Sequence, residues 1–274
     1  MLMIMQLITR PPKRIFTFGC SFTNYHWPMW PKIIAADLNI PLWNYGGAGS
    51  GNQRIFNTLM QADCLYNFDV DDLVMICWTN VCREDRFKDS RWVTPGNIFT
   101  QDTYDQKYIE NWANPTWYML RDYATIKATA EWLENKACQK HMMSMCNVFY
   151  RLEQYGILEE IYQNDEIYYM YKSTLDKILP SFYDVLWNND LIYSNPERLK
   201  IHPKFNDSHP LPTETQLYIE KTFNYKFKDQ TIEKIEKLQN SLCESIVNNK
   251  GNSKNFPNLN TILGEENMMV LGFY

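Results

Sequence analysis

Three short apolar runs, Ile15-Phe16-Thr17-Phe18, Pro41 to Tyr45 and Leu73 to Trp78, alternate with stretches of helical spacing, and this alternation most restricts how the chain can fold. The first run stops at Gly19, the second ends in Gly46-Gly47-Ala48-Gly49-Ser50-Gly51-Asn52, and Asp71-Asp72 leads into the third. Pro31 to Leu38 lies between the first two, and Ile55, Leu59, Met60 and Asp63 keep helical spacing between the second and third. Strand, helix, strand, helix, strand in this order implies a parallel sheet covered on both faces.

Trp117 to Gln139 reads as a long helix and His141 to Cys146 as a fourth buried strand. The polar and aromatic stretch from Lys88 to Thr116, with Pro95-Gly96-Asn97 and Asn114-Pro115, is too long for an ordinary connection and is expected to shape a site. Residues 148–201 are dense in tyrosine at helical spacing (Tyr150, Tyr155, Tyr162, Tyr168, Tyr169, Tyr171) and read as an inserted helical subdomain. Thr213 to Phe227 is expected as a helix with Thr213 as its N-cap after Pro212, followed by a helix from Ile232 to Val247.

With 274 residues, 45% of them hydrophobic, the chain can bury one substantial core. A formal charge of -5 leaves no net basic field for binding phosphate backbones, which disfavours a nucleic-acid partner. The seven cysteines, Cys20, Cys64, Cys77, Cys82, Cys138, Cys146 and Cys243, are scattered without metal-ligand spacing and read as reduced, buried small hydrophobes. Met1 to Ile8 lacks a basic leader and a cleavage site, and no apolar stretch is long enough to span a bilayer. The expectation is a soluble chain made in a reducing compartment, the cytoplasm of the producing cell, with no membrane span. His26, His141 and His202 read as structural or exposed, and no metal or other cofactor is expected.

Loops at the carboxyl ends of parallel strands open on one crevice, so Ser21, the loop 46–52, Thr79-Asn80 and the Asp207-Ser208-His209-Pro210 segment can converge there. A serine on a strand-to-loop turn and a distant Asp/His pair can form a nucleophile, a base and the carboxylate that orients it. The bland readings are a turn-capping Ser21, an ordinary glycine turn, an Asn80 that caps the next segment and an exposed His209.

Gly19-Cys20-Ser21 resembles the nucleophile turn of the SGNH (GDSL-like) hydrolase superfamily. Asn44 and Gly49 stand at the spacing of its second block, and Asn80 matches the asparagine of its third. Asp207-x-His209 resembles its last block, with one residue fewer between the acid and the histidine and with Asn206 at the usual acid position. The wording Phe-Gly-Cys-Ser-Phe-Thr with a downstream Trp-Pro is also similar to SGNH-like proteins of tailed bacteriophages. The resemblance implies a three-layer α/β/α, flavodoxin-like parallel sheet, here with the helical insertion at about 148–201 of a single domain spanning 1–274. It further implies a catalytic triad of Ser21, His209 and Asp207, with Asn206 as the alternative to Asp207, and an oxyanion hole of Ser21, Gly49 and Asn80.

On this resemblance the expected activity is hydrolysis of an acyl, chiefly acetyl, ester on a small molecule or glycan. A glycan O-acetyltransferase and a non-catalytic virion component of the same fold are the alternatives. Arg83 or Arg86 can reach the crevice to hold an anionic group, or can belong to a salt-bridged loop. Trp78, among other aromatic residues, is a candidate surface for a sugar ring.

Overall fold

The computed structural model describes residues 6–99, 104–148, 165–187, 196–252, 259–264 and 268–270. Its sheet is built from β1 (Arg14–Phe18), β2 (Leu42–Asn44), β3 (Asp72–Trp78), β6 (Gln139–Ser144) and β7 (Met268–Val270). The order across the sheet is β6-β3-β1-β2-β7, and every pairing is parallel. A two-stranded antiparallel ribbon, β4 (Arg86–Lys88) and β5 (Arg91–Val93), stands apart from it.

Period-two alternation explains why β3 reads as an unbroken apolar run. Leu73, Met75 and Cys77 enter the core on one face of the sheet, while Val74, Ile76 and Trp78 enter it on the other. The first face is covered by α1 (Trp30–Leu38), α8 (Pro212–Phe223) and α9 (Asp229–Asn248), through residues such as Ile33, Tyr218 and Leu238. The second is covered by α2 (Asn52–Tyr66), α4 (Pro115–Glu134) and α5 (Asp165–Leu175), through residues such as Leu59, Ile126 and Leu175. The molecule is therefore a three-layer α/β/α structure.

The first four strands of the sheet follow the flavodoxin-like order, but the fifth adds beside β2 and not beside β6. The route of the chain accounts for this. After α9 a short 3-10 helix, Leu259–Ile262, packs into the α1 and α9 side of the core, and Lys32 of α1 donates to Asn260 Oδ1 at 2.7 Å. The chain thus passes along α1, which also packs on β2, and meets the sheet at the β2 edge.

Residues 148–201 contain α5, α6 (Phe182–Trp187) and α7 (Pro196–Ile201). Ile167 and Leu175 of α5 join the α4 side of the core, whereas Phe182 and Trp187 of α6 join the α8 side. Tyr150, Tyr155 and Tyr162 lie outside the described residues. Among the described residues, the long connection after β3 holds β4, β5 and α3 (Gln106–Trp112) before α4 begins at Pro115. The cap of α8 also departs from expectation. Pro212 takes the first helical position, and Glu214, not Thr213, serves the helix start by accepting from Leu211 N at 2.7 Å.

Cys20, Cys77, Cys82, Cys138 and Cys146 are buried, Cys243 is half-buried and Cys64 is exposed, and all seven are free thiols. No helix among the described residues is long and apolar enough to cross a membrane.

Two substitutions on α9 separate core packing from helix propensity. Leu238→Ala empties a fully buried site and is expected to lower unfolding stability by about 3 kcal/mol. Val247→Ala, at a half-exposed position, is expected to change it by less than about 0.5 kcal/mol, both read from urea denaturation.

Candidate functional site

β1 runs between β2 and β3, so the segments that leave these three strands lie side by side at one rim. Their backbones interlock there. Gly47 N donates to Gly19 O at 3.1 Å, Asn44 Nδ2 to Thr23 O at 3.0 Å, and Gly46 N to Asn44 Oδ1 at 2.9 Å. Gly19 has no room for a side chain, because a Cβ there would lie 2.0 Å from Thr23 Oγ1 and 3.1 Å from Cys77 O. Ser21 is half-buried in the turn that follows, which closes with Thr23 N and Asn24 N both donating to Cys20 O, at 2.9 and 3.2 Å.

The Asp207–His209 segment sits against this turn. Asp207 Oδ1 accepts from His209 Nδ1 at 2.8 Å and from His209 N at 2.9 Å, and Tyr25 donates its hydroxyl to Asp207 Oδ2 at 2.6 Å. The His209 ring lies between aromatic residues of the Ser21 turn: its centroid is 3.5 Å from that of Tyr25 and 5.2 Å from that of Phe22. Trp27 Nε1 donates to Pro210 O at 2.9 Å. The structure therefore brings the Ser21 turn, Asp207 and His209 together. No hydrogen bond joins Ser21 to His209 among the described residues.

Burial pushes the Asp207 carboxyl up, but the hydrogen bonds from His209 and Tyr25 outweigh it and hold the group at about 2. Burial lowers His209 below the ordinary imidazole value more than Asp207 raises it, and the charges of Arg198 and Arg83 push the same way. A neutral ring that donates from Nδ1 to a carboxylate keeps Nε2 as a proton acceptor.

Arg198, on α7, fastens the segment from behind. It is almost fully buried and donates to the carbonyl oxygen of Asp207, to His209 O at 2.8 Å and to Glu214 Oε2 at 2.7 Å. Glu214 is the residue that serves the start of α8, so one ion pair ties the helix to the segment before it.

Asn80 is buried at the end of β3, and its carbonyl oxygen accepts from Arg83 Nε at 2.6 Å and from Thr79 Oγ1 at 3.3 Å. Both partners occupy the oxygen, which leaves the amide nitrogen on the opposite side as the available donor. The left-handed backbone of Cys82, φ 66°, turns Arg83 back towards Asn80. Asn52, at the start of α2, accepts from Thr79 N at 3.0 Å and donates to Thr79 O at 3.2 Å, and is held in turn by Asp122 Oδ2 at 2.9 Å.

Gly49 adopts φ 71°, and a Cβ there would come within 2.2 Å of Thr94 O, so the glycine loop and the root of the β4–β5 ribbon press directly on one another. Thr94 Oγ1 donates to Ala48 O at 2.7 Å across the same contact.

Three expected substrate contacts are placed differently. Trp78 is fully buried on the α2 and α4 face of β3 and has no surface to offer a sugar. Arg83 spends its guanidinium on Asn80, on Ser50 O at 3.0 Å and on Met145 Sδ at 3.7 Å, so it braces the rim. Arg86, half-exposed on β4, pairs with Glu84 Oε1 at 2.8 Å and donates to Tyr108 at 2.6 Å. Asn206 is exposed, whereas the carboxylate of Asp207 holds the imidazole.

Of the other histidines, His26 is exposed, His141 is buried with Nε2 on Leu7 O at 2.8 Å, and His202 accepts from Lys204 N at 3.1 Å. Among the described residues no three His, Cys, Asp or Glu side chains are grouped to hold a metal ion.

Tyr25, Arg198 and Glu214 are the site residues that the sequence did not single out. Tyr25 had one signal, its place just after the Ser21 turn. Arg198 had none, because nothing local tells an inward-turned arginine from a solvated one.

No protein-family model and no curated protein matches this chain. Among solved structures it is similar to a member of the lipolytic protein G-D-S-L family from Veillonella parvula DSM 2008, with 14% identity, a TM-score of 0.42 and coverage of 78% of this chain and 99% of that one. It is also similar to a GDSL-like lipase from Bacteroides thetaiotaomicron VPI-5482, with 12% identity, a TM-score of 0.41 and coverage of 82% and 88%.

Replacing Arg198 with Met leaves Glu214 without its cation and two carbonyls without a donor. The expected loss is about 3 kcal/mol of unfolding stability, measured by guanidinium denaturation.

Proposed function

We propose that this chain is a serine esterase of the SGNH type. The observation that carries the reading is the 2.8 Å bond between Asp207 Oδ1 and His209 Nδ1, with the imidazole packed against the turn that presents Ser21.

Ser21 Oγ attacks the ester carbonyl while His209 Nε2 takes its proton, and Asp207 fixes the tautomer and stabilises the imidazolium. The carbonyl oxygen gains the negative charge and is met by the amide nitrogen of Asn80 and the backbone N–H groups of Ser21 and Gly49. Each such donor typically lowers the barrier by about 3 kcal/mol. Collapse breaks the bond to the alcohol oxygen, which leaves with the proton from His209. Water, deprotonated by the same imidazole, then attacks the acyl-serine, releases the carboxylic acid and restores Ser21.

For the substrate we propose an acetyl ester carried on a carbohydrate. Support comes from the ribbon rooted on the glycine loop, where Phe87, 60% exposed, meets Trp92 edge to face at 5.4 Å and offers an aromatic surface beside the rim.

Ser21→Ala is expected to abolish hydrolysis of 4-nitrophenyl acetate while leaving the melting temperature in the wild-type range. Retained turnover would remove Ser21 from the mechanism. Because His209 titrates below the ordinary imidazole value, it stays a competent base as the pH falls into mildly acidic conditions. The acidic limb of kcat/KM is therefore expected below about pH 6.5, and a limb above that value would contradict the assigned base.

A further inference from the structure

With a single residue between acid and base, Asp207 Oδ1 serves both the main-chain N–H and the ring Nδ1 of His209, at 2.9 and 2.8 Å. The segment closes on itself as an Asx turn, which leaves the second carboxylate oxygen to be fixed from outside. Tyr25 supplies that contact, its O–H reaching Asp207 Oδ2 at 2.6 Å. The same ring lies flat on the imidazole, with centroids 3.5 Å apart and planes inclined by 16°. Trp27 backs it edge-on at 4.7 Å, inclined by 89°. One side chain of the nucleophile's own turn thus touches both members of the pair.

We infer that Tyr25 is a positioning residue that fixes the Asp207 carboxylate and the plane of the His209 ring relative to the Ser21 turn, an inference that rests on the acyl-transfer reading. It compensates for the short Asp-x-His spacing, because a carboxylate gripped at one oxygen alone can rotate away from the imidazole. The other charged or titratable groups facing this pair hold different atoms. Arg198 takes the carbonyl oxygens of Asp207 and His209, Glu214 pairs with Arg198, and Arg83 reaches Asn80. His26 meets the Tyr25 ring at a tilt, with centroids 4.6 Å apart and planes inclined by 52°.

Tyr25→Phe keeps the stack and removes the hydroxyl. With Oδ2 released, the carboxylate turns away from the imidazole and stabilises the imidazolium less, so His209 is expected to titrate about half a unit lower. The ring resonance is assigned by its loss in His209→Gln and followed by proton NMR. In the same variant kcat is expected to fall about tenfold with KM unchanged, because Tyr25 acts through the base and not on substrate. Tyr25→Leu, which also removes the stack, is expected to lower kcat further, and thermal melting of both variants establishes that they fold.

An unchanged His209 titration in folded Tyr25→Phe overturns the inference whatever the activity. A shifted titration in a protein that never hydrolyses esters upholds the positioning role and rejects the esterase reading instead.

Discussion

β1 is the strand on which the rest of the molecule depends. It is hydrogen-bonded to β2 on one side and β3 on the other, all three parallel, so the turns at their carboxyl ends come together without any long excursion of the chain. The price of that closeness is paid in side chains. Gly19 carries none because Thr23 and the Cys77 carbonyl occupy the space, and Gly49 carries none because Thr94 does. Phe16 and Phe18 on one face of β1 and Ile15 on the other are fully buried, which anchors the Ser21 turn to the centre of the core and not to its margin.

On this apolar base the rim is held by polar groups that each satisfy another's geometry. Arg198 joins α7, the Asp207–His209 segment and α8, while Arg83 joins the loops after β2 and β3. In both cases a guanidinium with several fixed donors collects carbonyl or amide oxygens from separate segments, a task suited to arginine and not to lysine. Asp85 does the converse with its carboxylate, accepting from Gly51 N and Arg54 N at 2.8 Å each at the start of α2. Burial raises its pKa, and those two backbone N–H groups work against the rise.

Much of this was legible in the residues. The runs at 15–18, 41–45, 73–78 and 141–146 are strands within a residue or two, because buried parallel strands need largely apolar sequence bounded by turn residues or helices. The Asp207–His209 pairing was legible because two residues so near each other in sequence have few ways to avoid meeting. β7 was not, since three residues become a strand only when a partner edge is presented, and that edge, β2, lies more than two hundred residues earlier. Trp78 shows a different failure. It belongs to the apolar run of β3, and a strand covered on both faces buries its last residue as firmly as its first. Arg83 and Arg198 carry charges that local pattern assigns to solvent, and only tertiary closure turns them inward.

The central claim is that Ser21, carried on the segment whose Phe22 and Tyr25 pack against the His209 imidazole, is a reactive nucleophile. Treating the folded protein with a fluorophosphonate probe and mapping the modified peptide tests it most directly. The account predicts a single adduct on Ser21, formed in the wild-type chain and suppressed when His209 is changed to Gln. An adduct on another residue, or no adduct in a protein that is folded, would contradict it.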